Sequence, residues 1–159
     1  MSHSWIHSKA RGIAGERLVR AWMDIQGWTV EAIPDTDSRQ RLGIDFIVGD
    51  GHHQWTVEVK SCSRGDVTGN VFIETLSVSG DDDHAERRGW LYTCQADWLY
   101  YLLVYSRQLV VCRMDAVRDM IPTWETYQVK TVQNAKYHGE GWIVPVDAFT
   151  RCAELLVRL

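Results

Sequence analysis

A chain of 159 residues, 45% hydrophobic and 24% charged, has the makeup of one soluble globular domain spanning 1–159. A domain of that size buries about 70% of its unfolded surface. The net charge of −4 excludes a strongly basic protein, while Lys9, Arg11, Arg17, Arg20, Arg39 and Arg41 allow a local basic rim and Asp81-Asp82-Asp83 gathers negative charge in one loop. No apolar run reaches membrane-spanning length and Met-Ser-His-Ser does not open a signal peptide, so a cytoplasmic location with no membrane partner is expected. The four cysteines (Cys62, Cys94, Cys112, Cys152) lack CxxC spacing, which leaves no recognisable zinc site and no reason for disulfides. Eight Trp and six Tyr read mainly as core packing, with base stacking as the other use.

In chain order, Ser8 to Gln26 reads as an amphipathic helix with a stripe of Ala14, Leu18, Ala21, Trp22 and Ile25, closed by Gly27. Glu16 lies off the centre of that stripe. It is either a surface acid paired with Arg20 or, given the small Gly12 and Gly15 beside it, part of a close approach to the sheet or to a phosphate. Trp28 to Ile33 reads as a strand ended by Pro34, followed by a polar loop from Asp35 to Arg41.

Next comes the most informative stretch. Gly43 to Val48 and His53 to Lys60 read as the arms of a β-hairpin joined by Gly49-Asp50-Gly51-His52. Side chains alternate along a strand, so Trp55, Val57 and Val59 share one face while Thr56, Glu58 and Lys60 share the other. A turn at Gly51-His52 sets Asp45 directly opposite Glu58; a turn at Asp50-Gly51 sets it opposite Thr56, diagonal to Glu58 and still on that side. Only an odd slip separates the two acids, and it would push Asp45 among Trp55 and Val57.

Beyond the hairpin, Ser61 to Gly69 reads as a loop and Asn70 to Ser77 as a third strand of the sheet, with Glu74 set among apolar neighbours. Val78 to Arg88 reads as a flexible polar loop, and Trp90 to Trp98 as a short strand or turn leading into helix. Tyr101–Tyr105 and Leu109–Cys112 form a second hairpin, and Asp115 caps a short helix that Pro122 stops. Tyr127 to Val132 and Gly141 to Val146 are the last strands, and Asp147 caps a closing helix through Leu159. The expected fold class is α/β, a mixed central β-sheet flanked by helices.

Two carboxylates facing one another repel unless a cation lies between them. A hard divalent ion such as Mg²⁺ answers that need, because it takes oxygen ligands and keeps waters for a phosphate substrate. Lys60 then stands ready to orient a water or steady charge on the phosphate, and as a group near the cleft surface it is expected to matter little for folding. Glu-x-Lys alone would be an ordinary solvated ion pair; Asp45 at hairpin spacing tips the reading towards function.

Gly43-Ile44-Asp45-Phe46 followed by Val57-Glu58-Val59-Lys60-Ser61 resembles the metal-binding core of the PD-(D/E)XK nuclease superfamily. Gly12-Ile13-Ala14-Gly15-Glu16 resembles the helix that supplies a further acid in many members, Holliday-junction resolvases among them. The resemblance covers about the first half of the chain and departs from it where Gly43-Ile44 stands in place of a proline before the Asp. It implies a restriction-endonuclease-like core and a Mg²⁺-dependent deoxyribonuclease, with Mn²⁺ able to substitute. It further implies that Asp45, Glu58 and the Val59 carbonyl hold metal, that Lys60 is catalytic, and that Glu16 acts through a water or a second metal. Glu74 would be an extra ligand or support for one, and Gln95 or Tyr92 would line the cleft. DNA is the implied partner and a homodimer is allowed. The small size points to an endonuclease of branched DNA, of the repair, recombination or phage kind. The alternative is an inactive nuclease fold that binds nucleic acid or a protein.

Overall fold

The computed structural model describes residues 3–79, 87–133 and 137–159. The Asp81-Asp82-Asp83 run and the middle of the expected loop over Val78 to Arg88 lie outside the described residues, as do the side chains of Lys9 and Arg11.

The elements run as follows. Helix α1 (His3–Ile25) leads to β1 (Thr29–Ala32), a 3-10 turn (Ser38–Leu42), β2 (Phe46–Gly49) and β3 (Gln54–Cys62). Then come α2 (Gly65–Thr68), β4 (Asn70–Ser79), β5 (Arg87–Arg88), α3 (Trp90–Thr93), β6 (Trp98–Leu103) and β7 (Gln108–Arg113). The chain finishes with α4 (Met114–Asp119), α5 (Ile121–Trp124), β8 (Val129–Gln133), β9 (Tyr137–Pro145), α6 (Val146–Phe149), a second 3-10 turn and β10 (Ala153–Arg158).

Two sheets result. The larger has the order β1-β2-β3-β6-β7-β10 and is mixed, because β3 pairs parallel with β6 while its other neighbours are antiparallel. The smaller, β5-β4-β9-β8, is antiparallel throughout. Alternation along the central strands builds a core on each side of the large sheet. Val57, Tyr100, Leu102, Leu109 and Val111 meet Val19 and Met23 of α1. Leu99, Tyr101, Leu103 and Val110 meet Val71 and Ile73 of β4, Trp142 and Val144 of β9, and the buried Trp124 and Phe149. Trp28 stands edge-on to both Trp22 and Trp55, with ring centroids 5.5 and 5.2 Å apart, so the aromatic surplus is largely packing.

Several elements differ from the sequence expectation. The buried stripe of α1 is Gly15, Val19 and Met23, with Ile25 80% exposed, because Gly15 lets the helix close on Ser61 and so sets this row, at the same helical spacing, against the sheet. Strand β4 joins the smaller sheet through β9; the place beside β3 goes to β6. The segment after Gly89 is helix first and strand second. Pro122 opens α5 instead of closing α4, since proline's missing N–H costs nothing in a first turn. Asp115 sits within the first turn of α4, where Arg113 holds the capping position. The closing helix shrinks to α6 and the second 3-10 turn, and Ala153–Arg158 is instead β10, whose Leu155-Leu156-Val157 run takes the open edge of β7 and pairs from Leu155↔Val111 to Arg158↔Gln108.

Candidate active site

The β2–β3 hairpin pairs Phe46 with Val57 and Gly49 with Gln54, and Gly51 turns with φ 90°. This is the register in which Asp45 stands across from Glu58. Val57 and Val59 point into the α1 core, so Glu58 and Lys60 point into the cleft between the two sheets.

Asp45 lies just ahead of β2, where the ladder becomes irregular: its N–H donates to Val57 O at 2.9 Å and its carbonyl accepts from Ile33 N–H at 2.8 Å. Its Oδ2 accepts the Val59 N–H at 2.7 Å. Gly43 makes the approach possible. It caps the Ser38–Leu42 turn with φ 70°, and a Cβ there would fall 3.0 Å from Cys94 Sγ. The absence of a proline before Asp45 has a local reason too: the Ile44 N–H donates to Arg39 O at 3.2 Å, a bond proline could not make.

Glu58 is 3% exposed and is the buried charged residue among those described. Its Oε1 accepts from Lys60 Nζ, and Lys60 keeps 34% of its side chain in solvent. The expectation that Lys60 matters little for folding is therefore corrected: it is the ion-pair partner of a buried carboxylate.

Further acids converge on this pair. Glu16 is half-buried on the sheet side of α1 and not on an outer face with Arg20, whose partner is Asp24 at 3.8 Å. Gly15 brings the helix in, since a Cβ there would lie 1.9 Å from Ser61 Oγ; Gly12 has open space around it. Burial, then Asp45 and Asp35, raise the Glu16 carboxyl, and Lys60 lowers it. Burial also raises Asp45, against the Val59 N–H, Lys60 and Gln40. On the opposite wall Glu74 is raised by burial and lowered by Lys60 and the Trp90 N–H. One ammonium thus serves four carboxylates.

Glu58, Lys60 and Glu74 line a cleft of about 620 Å³ that also takes in Gln40, Arg41, Arg87, Arg88 and Cys94. Sequence reasoning missed Gln40 and the Arg87-Arg88 pair, whose segments read as loops, and Cys94, whose segment read as a short strand or turn leading into helix. Gln40 carries a recognisable signal only in hindsight, an amide among charged residues five positions before an Asp; its Nε2 also ties down Ile33 O at 2.9 Å. Gln95 stands apart: its exposed side chain lines a separate pocket with Asp97 and Arg113. Tyr92 is 37% exposed beneath the Arg88 guanidinium, 5.4 Å from ring centroid to Cζ.

The donor set suits a hard divalent cation. No cluster of three or more His, Cys, Asp or Glu that could hold a metal occurs among the described residues. Two carboxylates and a backbone carbonyl suffice for Mg²⁺, which keeps several waters. Asp45 and Glu58 each retain lone pairs beyond those committed to Val59 N–H and Lys60.

No family model and no curated protein matches the chain. The solved structure of a bacterial homing endonuclease, I-Ssp6803I, aligns with a TM-score of 0.54 at 18% identity, over 70% of this chain and 72% of that one. The likeness shows a common fold: a mixed α/β core with a central mixed sheet. No helix among the described residues is long and apolar enough to cross a membrane.

Proposed function

We propose that the protein is a divalent-metal-dependent nuclease of PD-(D/E)XK type that hydrolyses phosphodiester bonds in DNA. The observation that carries this reading is the convergence of Asp45, Glu58 and Lys60 on one face of a single hairpin, with Glu58 buried and Glu16 brought in from α1. Such a density of part-buried acids, pushed away from their ionised state by burial, is a usual mark of a working site. The fold it shares with an endonuclease supports the same reading.

Asp45, Glu58 and the Val59 carbonyl would hold the metal. Bound Mg²⁺ supplies a lowered pKa for water and neutralises charge on the scissile phosphate. The chain's own groups do the rest. The Val59 N–H fixes the Asp45 carboxylate and the Gln40 amide bears on it, while Lys60, anchored by Glu58, presents N–H donors to a phosphate oxygen or to the attacking water. Glu16, half-buried on α1 and within electrostatic reach of Asp45 and Lys60, would accept a proton. The small single-hairpin site favours endonucleolytic cutting of branched DNA.

A second reading, a nuclease fold that binds without cutting, rests on Lys60 already engaging Glu58. One assay decides between them: purified protein with linear duplex, single strand, flap and four-way junction, with Mg²⁺ and with EDTA. Metal-dependent cutting of any substrate, strongest on the branched ones, is expected. Binding without cutting under all metal conditions would support the second reading, and neither binding nor cutting would overturn both.

A further inference from the structure

The cleft that holds the acids is not uniformly negative. Arg41, from the 3-10 turn, lines one side; Arg87 and Arg88 of β5 line the other, beside Glu74 and Ser77 of β4. All three arginines are exposed, and none has an acidic partner within ion-pair distance among the described residues. That contrasts with Arg39, which is bidentate to Asp37, and with Arg113, which is bidentate to Asp115. The Arg88 guanidinium lies over the Tyr92 ring, an arrangement that orients its N–H edge while leaving the donors uncommitted. Surface arginines are ordinary; three without an acidic partner among the described residues, opening into the same cleft as Glu58 and Glu74, are a different matter. Guanidinium groups take phosphate through two parallel N–H donors, whereas the acids repel it.

We infer that Arg41, Arg87 and Arg88 form a phosphate clamp that grips the DNA backbone on both sides of the scissile bond. The inference rests on the nuclease reading and adds the groups that hold substrate against the negative centre. Arg41 binds the backbone on the hairpin side, Arg87 and Arg88 bind it on the β5 side, and the scissile phosphate lies between them over Lys60.

The test is a salt titration. Binding of a fluorescein-labelled duplex and a labelled four-way junction is followed by anisotropy in EDTA, from about 50 to 200 mM NaCl, the range over which phosphate contacts show in the affinity. Each neutralised phosphate contributes about −0.9 to the slope of log K against log salt, so R41Q/R87Q/R88Q should flatten it by about 2.7 units. The corresponding loss of affinity near 0.1 M salt is about 10²–10³-fold. A charge-matched variant, R107Q/R151Q/R158Q, changes three arginines that do not line the cleft and should keep most of the wild-type slope. Glutamine keeps the length of the side chain, and melting curves of both variants establish that they fold. Equal losses in the two variants, or an unchanged slope in the cleft variant, overturn the clamp while leaving the nuclease reading standing. A wild type that binds neither DNA overturns the clamp, while the nuclease reading stands or falls separately with cutting in Mg²⁺.

Discussion

Lys60→Ala should lower stability as well as activity. The substitution leaves Glu58, with a side chain 4% exposed, without its ion-pair partner. Removing one member of a fully buried pair costs roughly 3–5 kcal/mol, because the remaining charge stays desolvated. Lys60 itself is 34% exposed, and water already shares its charge. The expected cost is therefore nearer 2 kcal/mol, between the buried and surface cases. For a chain of this length that lowers Tm by about 4–8 °C. Scanning calorimetry at pH 7.5 in EDTA reads it directly. Glu58→Gln in the same background should recover most of the loss, since an amide has no charge to strand. If the acids hold Mg²⁺, saturating metal should do the same, adding about 2.7 kcal/mol at one hundred times its Kd. A Lys60→Ala protein that melts within about 1 °C of wild type in EDTA would refute the argument, as would a double variant less stable than the single one.

Cleavage should need Mg²⁺ or Mn²⁺, with Ca²⁺ binding but supporting little turnover, and undiminished cutting in excess EDTA would sink the mechanism. Asp45→Ala and Glu58→Ala should each abolish cleavage while metal-free DNA affinity, read by anisotropy, holds or rises as a phosphate-repelling charge is lost. Gly15→Ala should cost about 1–3 kcal/mol in a urea melt, because its Cβ would lie 1.9 Å from Ser61 Oγ. Ser61→Ala should recover most of it, and alone should be neutral or stabilising, since Ser61 Oγ is buried without a hydrogen-bond partner among the described residues. Asp45, Glu16 and Glu74 hold protons in the folded state that the unfolded chain has released above its ordinary values of 3.8 and 4.5. Their contribution is thus fully present below those values and is lost as pH rises through the raised folded ones. In EDTA the stability of wild type relative to the Asn/Gln triple variant should fall across that rise, and a flat difference would refute it.

The heart of the site was legible because strand alternation is rigid: once Val57 and Val59 are assigned to the core, Glu58 and Lys60 have no other place to go. The sequence left two turns open, and the one that forms, Gly51-His52 closed by Asp50 N–H to His53 O at 3.2 Å, sets Asp45 across from Glu58. Helical spacing is more forgiving. Ala14/Leu18 and Val19/Met23 both satisfy it, and only packing against β6 and the Ser61 contact of Gly15 select the second, which is what turns Glu16 towards the site. The sequence is least informative about long-range pairing. Nothing in Asn70–Ser77 says that its neighbour is Trp142 and not Val57, and Glu154–Arg158 becomes a strand because β7 has a free edge to offer. Arg87 and Arg88 enter the cleft for the same reason, carried there by pairing with Leu76 and Ser77.

Position 58 also separates function from architecture. The β3 positions on either side are valines packed against α1, and across the sheet Leu99 pairs with Glu58 and is fully buried. A buried ion pair is commonly no better for stability than apolar side chains of similar volume. A chain shaped only to fold would gain from Leu or Val at 58 and would have no use for the raised acids at 16, 45 and 74. The arrangement instead keeps a carboxylate buried at 58, with one ammonium shared among four acids. On the proposed reading a bound cation would relieve that condition and would supply what phosphodiester hydrolysis needs. A stability gain from Mg²⁺ that disappears in Asp45→Asn would tie the strain in the cleft to the chemistry, and a gain that survives in that variant would place the metal elsewhere.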